Sequence, residues 1–214
     1  MVEAARHLTG ALLWAAAAAA SPAAYATAVA DDGLTATGGC RDGRPHGAYE
    51  LRGRNGALRV VGAFNRGKRT SSFIFWTAAG VRVAHIPYDE GQKSGTVSLW
   101  YADAPRGGEA QQKLEATYVA GVLDGATRSW HPEGRARTVF VYANGSLVDA
   151  KAWNAAGAAL AETAARALAA RDSAADERYY SSLDAIIAAH PPPCDDATAP
   201  RLSALAASNQ TNRR

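Results

Sequence analysis

A chain of 214 residues with 20% charged side chains and a formal net charge of +3 has room for one ordinary domain. Charge this modest excludes recognition by overall charge, so any electrostatic recognition has to be local. No segment beyond the first thirty residues is apolar enough to span a bilayer, which excludes a membrane-spanning mature chain.

The first element is a leader, residues 1–30. Arg6 precedes an apolar stretch from Leu8 through Leu12, Leu13 and Trp14 to Ala20, and Pro22 breaks it. Small-residue sites follow at Ala24-Tyr25-Ala26, Ala26-Thr27-Ala28 and Ala28-Val29-Ala30. These are the parts of a secretory signal peptide, too short in its apolar part for an anchor. The mature protein is expected to begin near Asp31, with residues 31–42 as a linker. Its location is then periplasmic or secreted.

Cys40 and Cys194 are the two cysteines, at opposite ends of the mature chain. An even count in an exported protein points to a disulfide, with two free thiols as the alternative. Thr37-Gly38-Gly39-Cys40 has the look of a lipid-attachment box but lies too far past the apolar stretch to act as one.

Next comes a basic stretch. Arg41, Arg44, Arg52, Arg54, Arg59, Arg66, Lys68 and Arg69 stand against Asp42 and Glu50 alone, a local charge of +6. This is either a solvated face or a site for an anionic partner such as lipid head groups or a polyanionic glycan.

From residue 43 to residue 157 the chain repeats. Gly43, Gly67 and Gly91 are 24 residues apart, as are Gly121 and Gly145, and the step from Gly91 to Gly121 carries six extra residues. Nine positions after a start comes Trp76, Trp100 or Trp130, with Trp153 one position early. A second glycine follows at Gly56, Gly80, Gly134 and Gly157, then an aromatic at Phe64, Tyr88, Tyr118 and Tyr142. Period-two runs such as Phe73 with Phe75 and Phe140 with Tyr142 read as half-buried strands. Asn55-Gly56 and Asn144-Gly145 read as tight hairpin turns in which both residues tolerate positive φ. The expected fold is mainly β: an elongated antiparallel sheet of about five stacked hairpins, each touching only its neighbours. The insertion Asp103–Glu109 should project from the turn side of the third unit.

The pattern Trp130-His131-Pro132-Glu133-Gly134 … Tyr142-Ala143-Asn144-Gly145 resembles the bacterial variant of the MORN repeat. It returns as Trp76 … Gly80 … Tyr88 … Gly91 and as Trp100-Tyr101 … Tyr118 … Gly121, so the resemblance covers residues 43–157. The first unit departs by carrying Arg52 in the tryptophan slot, and the fifth is short. The resemblance implies a non-catalytic binding module for proteins or lipid head groups. Proteins of this kind are often labelled antitoxin-like.

Residues 158–190 switch to helix formers, with Ser173 and Asp176 in position to cap a second helical stretch and Leu183, Ile186 and Ile187 at helical spacing. One helix, or two in line, matches the sheet in length and is expected to run back along it. It would cover one face and bring Cys194 to Cys40. A helix projecting toward a partner is the alternative. Residues 191–214 form a proline-containing, partly disordered tail.

The chemistry is sparse. His46, His85 and His131 fall at three different offsets in their repeats, and no metal-binding, nucleophile or phosphate-loop motif is present. The reading is therefore an enzyme-free scaffold without metal or cofactor, exported and binding an unknown protein partner. Peripheral binding to an anionic lipid or glycan surface through the basic first repeat is the alternative, and an antitoxin-like binding protein the second. Export disfavours nucleic acid, and a carbohydrate-degrading enzyme would need two facing carboxylates that the repeats do not supply. The tryptophan slots are either sheet packing or an aromatic track of the kind that grips sugars.

Overall fold

The computed structural model describes residues 33–103 and 110–194. The expected leader, the start at Asp31, the interior of the insertion and the tail beyond Cys194 lie outside these residues.

Eleven strands follow one another as β1 (Thr35–Arg41), β2 (Arg44–Arg52), β3 (Leu58–Asn65), β4 (Lys68–Trp76), β5 (Arg82–Asp89), β6 (Gln92–Lys93), β7 (Gly95–Trp100), β8 (Gln112–Val119), β9 (Val122–Trp130), β10 (Ala136–Ala143) and β11 (Ser146–Ala152). They form one antiparallel sheet in chain order, with the short β6 pairing only with β5. Among the described residues one helix, α1 (Glu162–Ala189), follows.

The repeat glycines explain the regularity. Each unit-starting glycine, Gly43, Gly67, Gly91, Gly121 and Gly145, has φ between 67° and 87°, and the residue before it has φ between 47° and 52°. Two successive positive φ values define the two-residue hairpin turn whose twist matches that of the strands. The opposite ends turn differently. Gly53, Thr77, His131 and Asn154 each donate a backbone bond four residues on and accept one from the glycine three residues on, all at 2.8–3.0 Å. This is a type I turn closed by a left-handed glycine, so Asn55 keeps negative φ and only Asn144 occupies the turn expected of both asparagines. In the third unit the same closing bond, Tyr101 N–H to the Gln111 carbonyl at 3.0 Å, spans the six-residue insertion.

Two details correct the sequence reading. Residues 35–41, read as linker, form edge strand β1, paired along β2 from Thr35 opposite Arg52 to Arg41 opposite Arg44. The fifth unit is short, as its sequence indicates: β11 is followed by a turn and one bridge, Trp153 to Ala159. Ser173 and Asp176 cap nothing, because α1 runs through them unbroken.

The helix lies across one face of the sheet. Its 28 residues reach about 42 Å, and ten strands span about 43 Å. Tyr179, Tyr180, Leu183 and Ile187 join Tyr49, Val60, Phe64, Phe73, Ile86, Leu99 and Tyr118 in the main core. At its other end Ala165 and Ala169 pack with Phe140, Tyr142, Ala150 and Ala152 in a smaller core. Small helix residues there let α1 approach the last hairpin closely. The Cys40–Cys194 disulfide ties the chain just beyond the helix to the edge strand, and the Tyr49 hydroxyl donates to the His190 carbonyl at 2.8 Å beside it.

Candidate functional site

A repeated bulge decides which side chains each face presents. Arg59, Val83, Lys113 and Arg137 each fall between two paired residues of their strand without a partner of their own across the ladder. They occupy the same slot in four successive units. A bulge turns its extra residue out of the alternation. Arg59 and Val83 are consequently buried, and Arg137 reaches the helix, where it pairs bidentately with Asp172 at 2.5 and 3.1 Å.

The helix answers with acids. Asp172, Asp176, Tyr180 and Asp184 are four residues apart and share one face of α1. Asp184 pairs with Arg69, whose guanidinium also lies 4.3 Å from the centre of the Tyr88 ring. Lys93 bonds Glu177 at 3.0 Å and lies over both Tyr118 and Tyr180. Between the two cores runs a polar seam in which Ser129 and Thr138 share a 2.5 Å hydrogen bond. Burial pushes the Asp176 carboxyl up to about 6, an effect that neighbouring Asp172 reinforces and Lys113 only partly offsets. Burial likewise lowers the Lys113 ammonium despite the pull of Asp176. The charges facing the helix thus fasten one face shut.

This arrangement divides the basic stretch. Arg59 is buried, Arg69 holds the helix, Arg52 bonds Glu50 at 2.8 Å and Lys68 bonds Glu90 at 2.8 Å. Arg41, Arg44, Arg54 and Arg66 are exposed. Arg41 and Arg44 flank one two-residue turn and Arg66 lies in the next, whereas Arg54 lies in a glycine-closed turn at the other margin, about 25 Å away along strands of eight or nine residues. The eight residues therefore do not form one patch.

The tryptophan slots, by contrast, come together. Trp76, Trp100 and Trp130 end β4, β7 and β9, and Trp153 follows β11, so the four stand two strands apart along one margin despite the insertion. Each is half-buried, and none belongs to either core beneath the helix. Strand alternation places them on the face opposite the buried Phe75 and Leu99. Across the ladder Trp76 faces Arg82, Trp100 faces Gln112 and Trp130 faces Ala136, so other side chains alternate with the rings. The Arg82 guanidinium stacks 4.0 Å from the Trp100 ring centre. Side chains fix the backbone under the row: Arg59 Nε donates to the Trp76 carbonyl at 3.2 Å, the Tyr101 hydroxyl to that of Trp130 at 2.8 Å, and His131 Nε2 meets that of Trp153 at 3.1 Å.

The rest of this face carries small side chains and paired charges. Ala48, Ala63, Ser72 and Ala126 lie along its middle. Most of its charges pair with one another, Arg52 with Glu50, Arg128 with Glu115 at 3.6 Å, and Lys151 with Asp149 at 3.7 Å, while Arg82 is taken up by the Trp100 ring. His85 Nε2 bonds Ser72 Oγ at 2.8 Å, and burial lowers the imidazole pKa. Among the described residues no three His, Cys, Asp or Glu side chains gather as a metal site, and no helix is long and apolar enough to cross a membrane. No protein family model matches the chain, and no curated protein matches it.

Proposed function

We propose that this protein is an exported, non-enzymatic repeat scaffold that binds a macromolecule through the uncovered face of its sheet. The observation that carries the reading is the asymmetry of the two faces. One is closed by a helix held by a disulfide, a hydrophobic core and ion pairs. The other presents four tryptophans in register with no described element packed over them. A half-buried aromatic row on a face that no described element covers is a costly feature for a surface without a partner. The MORN-like reading of the repeats agrees with a binding role and, taken alone, implies a protein or lipid-head-group partner. The disulfide belongs to an oxidising compartment, which favours the periplasm or the exterior over the cytosolic setting of an antitoxin.

A photo-crosslinker placed at Ser98 on the uncovered face and, separately, at Arg171 on the outer surface of α1 tests the reading in the native host. Adducts from position 98 and none from 171 are expected, and the reverse pattern would refute it. Peripheral attachment to an anionic surface keeps one supporting observation, the exposed Arg41, Arg44 and Arg66 at neighbouring hairpin tips. Attachment of that kind weakens steeply between 50 and 500 mM salt, roughly as the screening length shortens from about 14 to 4 Å, whereas docking on the neutral face does not.

A further inference from the structure

The uncovered face also indicates the chemistry of its ligand, and this inference rests on reading that face as the docking surface. We propose that the tryptophan row binds a single, uncharged, β-1,4-linked polysaccharide chain lying across the strands.

Three observations lead there. First, successive rings are two strands apart, about 9.6 Å, and the four rings cover about 29 Å. That interval is about the length of one disaccharide in an extended β-1,4-linked pyranose chain. Such a chain turns over at each sugar, so the same apolar C–H face recurs at every second unit and meets one ring per repeat. Second, Arg82 and Gln112 stand between the rings with donors for equatorial hydroxyls, which pyranose recognition needs beside each stacked face. Third, three cations on this face are matched by acids, Arg52 with Glu50, Arg128 with Glu115 and Lys151 with Asp149, and Arg82 lies over the Trp100 ring, so the row carries no cluster of cations of the kind a polyanion needs. A protein partner needs no such fixed interval.

Sheets twist from strand to strand, so a flat crystal surface would meet only one or two of the rings, whereas a single flexible chain can follow the whole row.

The test is calorimetric titration, with tryptophan fluorescence, of the disulfide-bonded chain with chitohexaose and cellohexaose, which separate an N-acetylated from a plain glucan source. Affinity should rise at least tenfold from disaccharide to hexasaccharide for one or both series and change little with salt. Trp76→Ala and Trp130→Ala should each weaken hexasaccharide binding by about tenfold, in line with one lost aromatic stack. The length series on the unaltered protein decides the matter even if a variant folds poorly. Absence of binding by both hexasaccharides, affinity independent of length, or displacement by a polyanionic glycan at low salt would overturn the proposal. Failure here together with protein adducts from position 98 would leave the docking face standing and assign it to a protein. Binding followed by hydrolysis would instead sink the non-enzymatic reading and leave the glycan in place.

Discussion

Replacing Cys40 and Cys194 together by serine opens a loop with a sequence separation of 154 residues. In the chain-entropy treatment a loop of that size stabilises the folded state by about 5 kcal/mol, an upper figure because it neglects native-state strain. The helix should nevertheless stay docked. Tyr180 and Leu183 are 2% and 1% exposed, and Arg69 and Arg137 still hold Asp184 and Asp172. The expected outcome in urea unfolding is a loss of about 3–5 kcal/mol, a large part of the ~5–15 kcal/mol typical of a domain. The denaturant slope should rise slightly, since the unfolded chain is no longer closed on itself. The far-UV helical signal of the folded state should not change. A loss below about 1 kcal/mol, or disappearance of the helical signal before unfolding, would refute the view of the disulfide as a staple on an already packed helix.

Three further outcomes follow from the packing. Gly62→Ala should destabilise the fold by about 1–3 kcal/mol in thermal or urea unfolding, because a Cβ there would lie 2.5 Å from the fully buried ring of Phe73. Asp172→Asn should cost about 1–3 kcal/mol by breaking a largely buried bidentate pair with Arg137, while Glu90→Gln, whose partner Lys68 is 60% exposed, should leave the unfolding midpoint unchanged. Between about pH 4 and 6 the folded protein keeps a proton on Asp176 that the unfolded chain has released. Stability should therefore fall as pH rises through that window, by at most about 1.4 kcal/mol per pH unit from this group. Asp176→Asn should remove that slope in unfolding curves taken across the window, and an unchanged slope would contradict the assignment.

Much of this architecture was legible because glycines at fixed intervals leave little choice. The glycines that start each unit mark the two-residue turns, although Asn55-Gly56 shows that the Asn-Gly pair alone does not settle the turn type, and the six extra residues of the third unit fall between β7 and β8, whose pairing continues beside them. Cys40 and Cys194 could be paired because they are the two cysteines of a chain read as exported, and the matched lengths of helix and sheet bring them together. Other features left no such trace. Strand β1, with Gly38 and Gly39 in its middle, has no alternation and exists by pairing with β2. The bulge at Arg59, Lys113 and Arg137 moves a cation from its alternating position to the helix side, which a period-two reading cannot show. Its signal was a basic residue in one slot of three units, matched by acids every four residues on α1. For the same reason Asp176, placed by its sequence neighbours at a helix start, lies in mid-helix facing a polar seam. The basic stretch looked like one patch because eight residues close in sequence can be a strand length apart in a hairpin.

The central claim is that the tryptophan face is the working surface and the helix face is closed. Hydroxyl-radical footprinting of the disulfide-bonded protein, free and bound to envelope material of its host, tests both halves at once. The account predicts that Trp76, Trp100, Trp130 and Trp153 are modified readily in the free protein and protected on binding, while Tyr179 and Tyr180 resist modification in both states. Reactive Tyr179 and Tyr180 in the free protein, or tryptophans indifferent to binding, would contradict it.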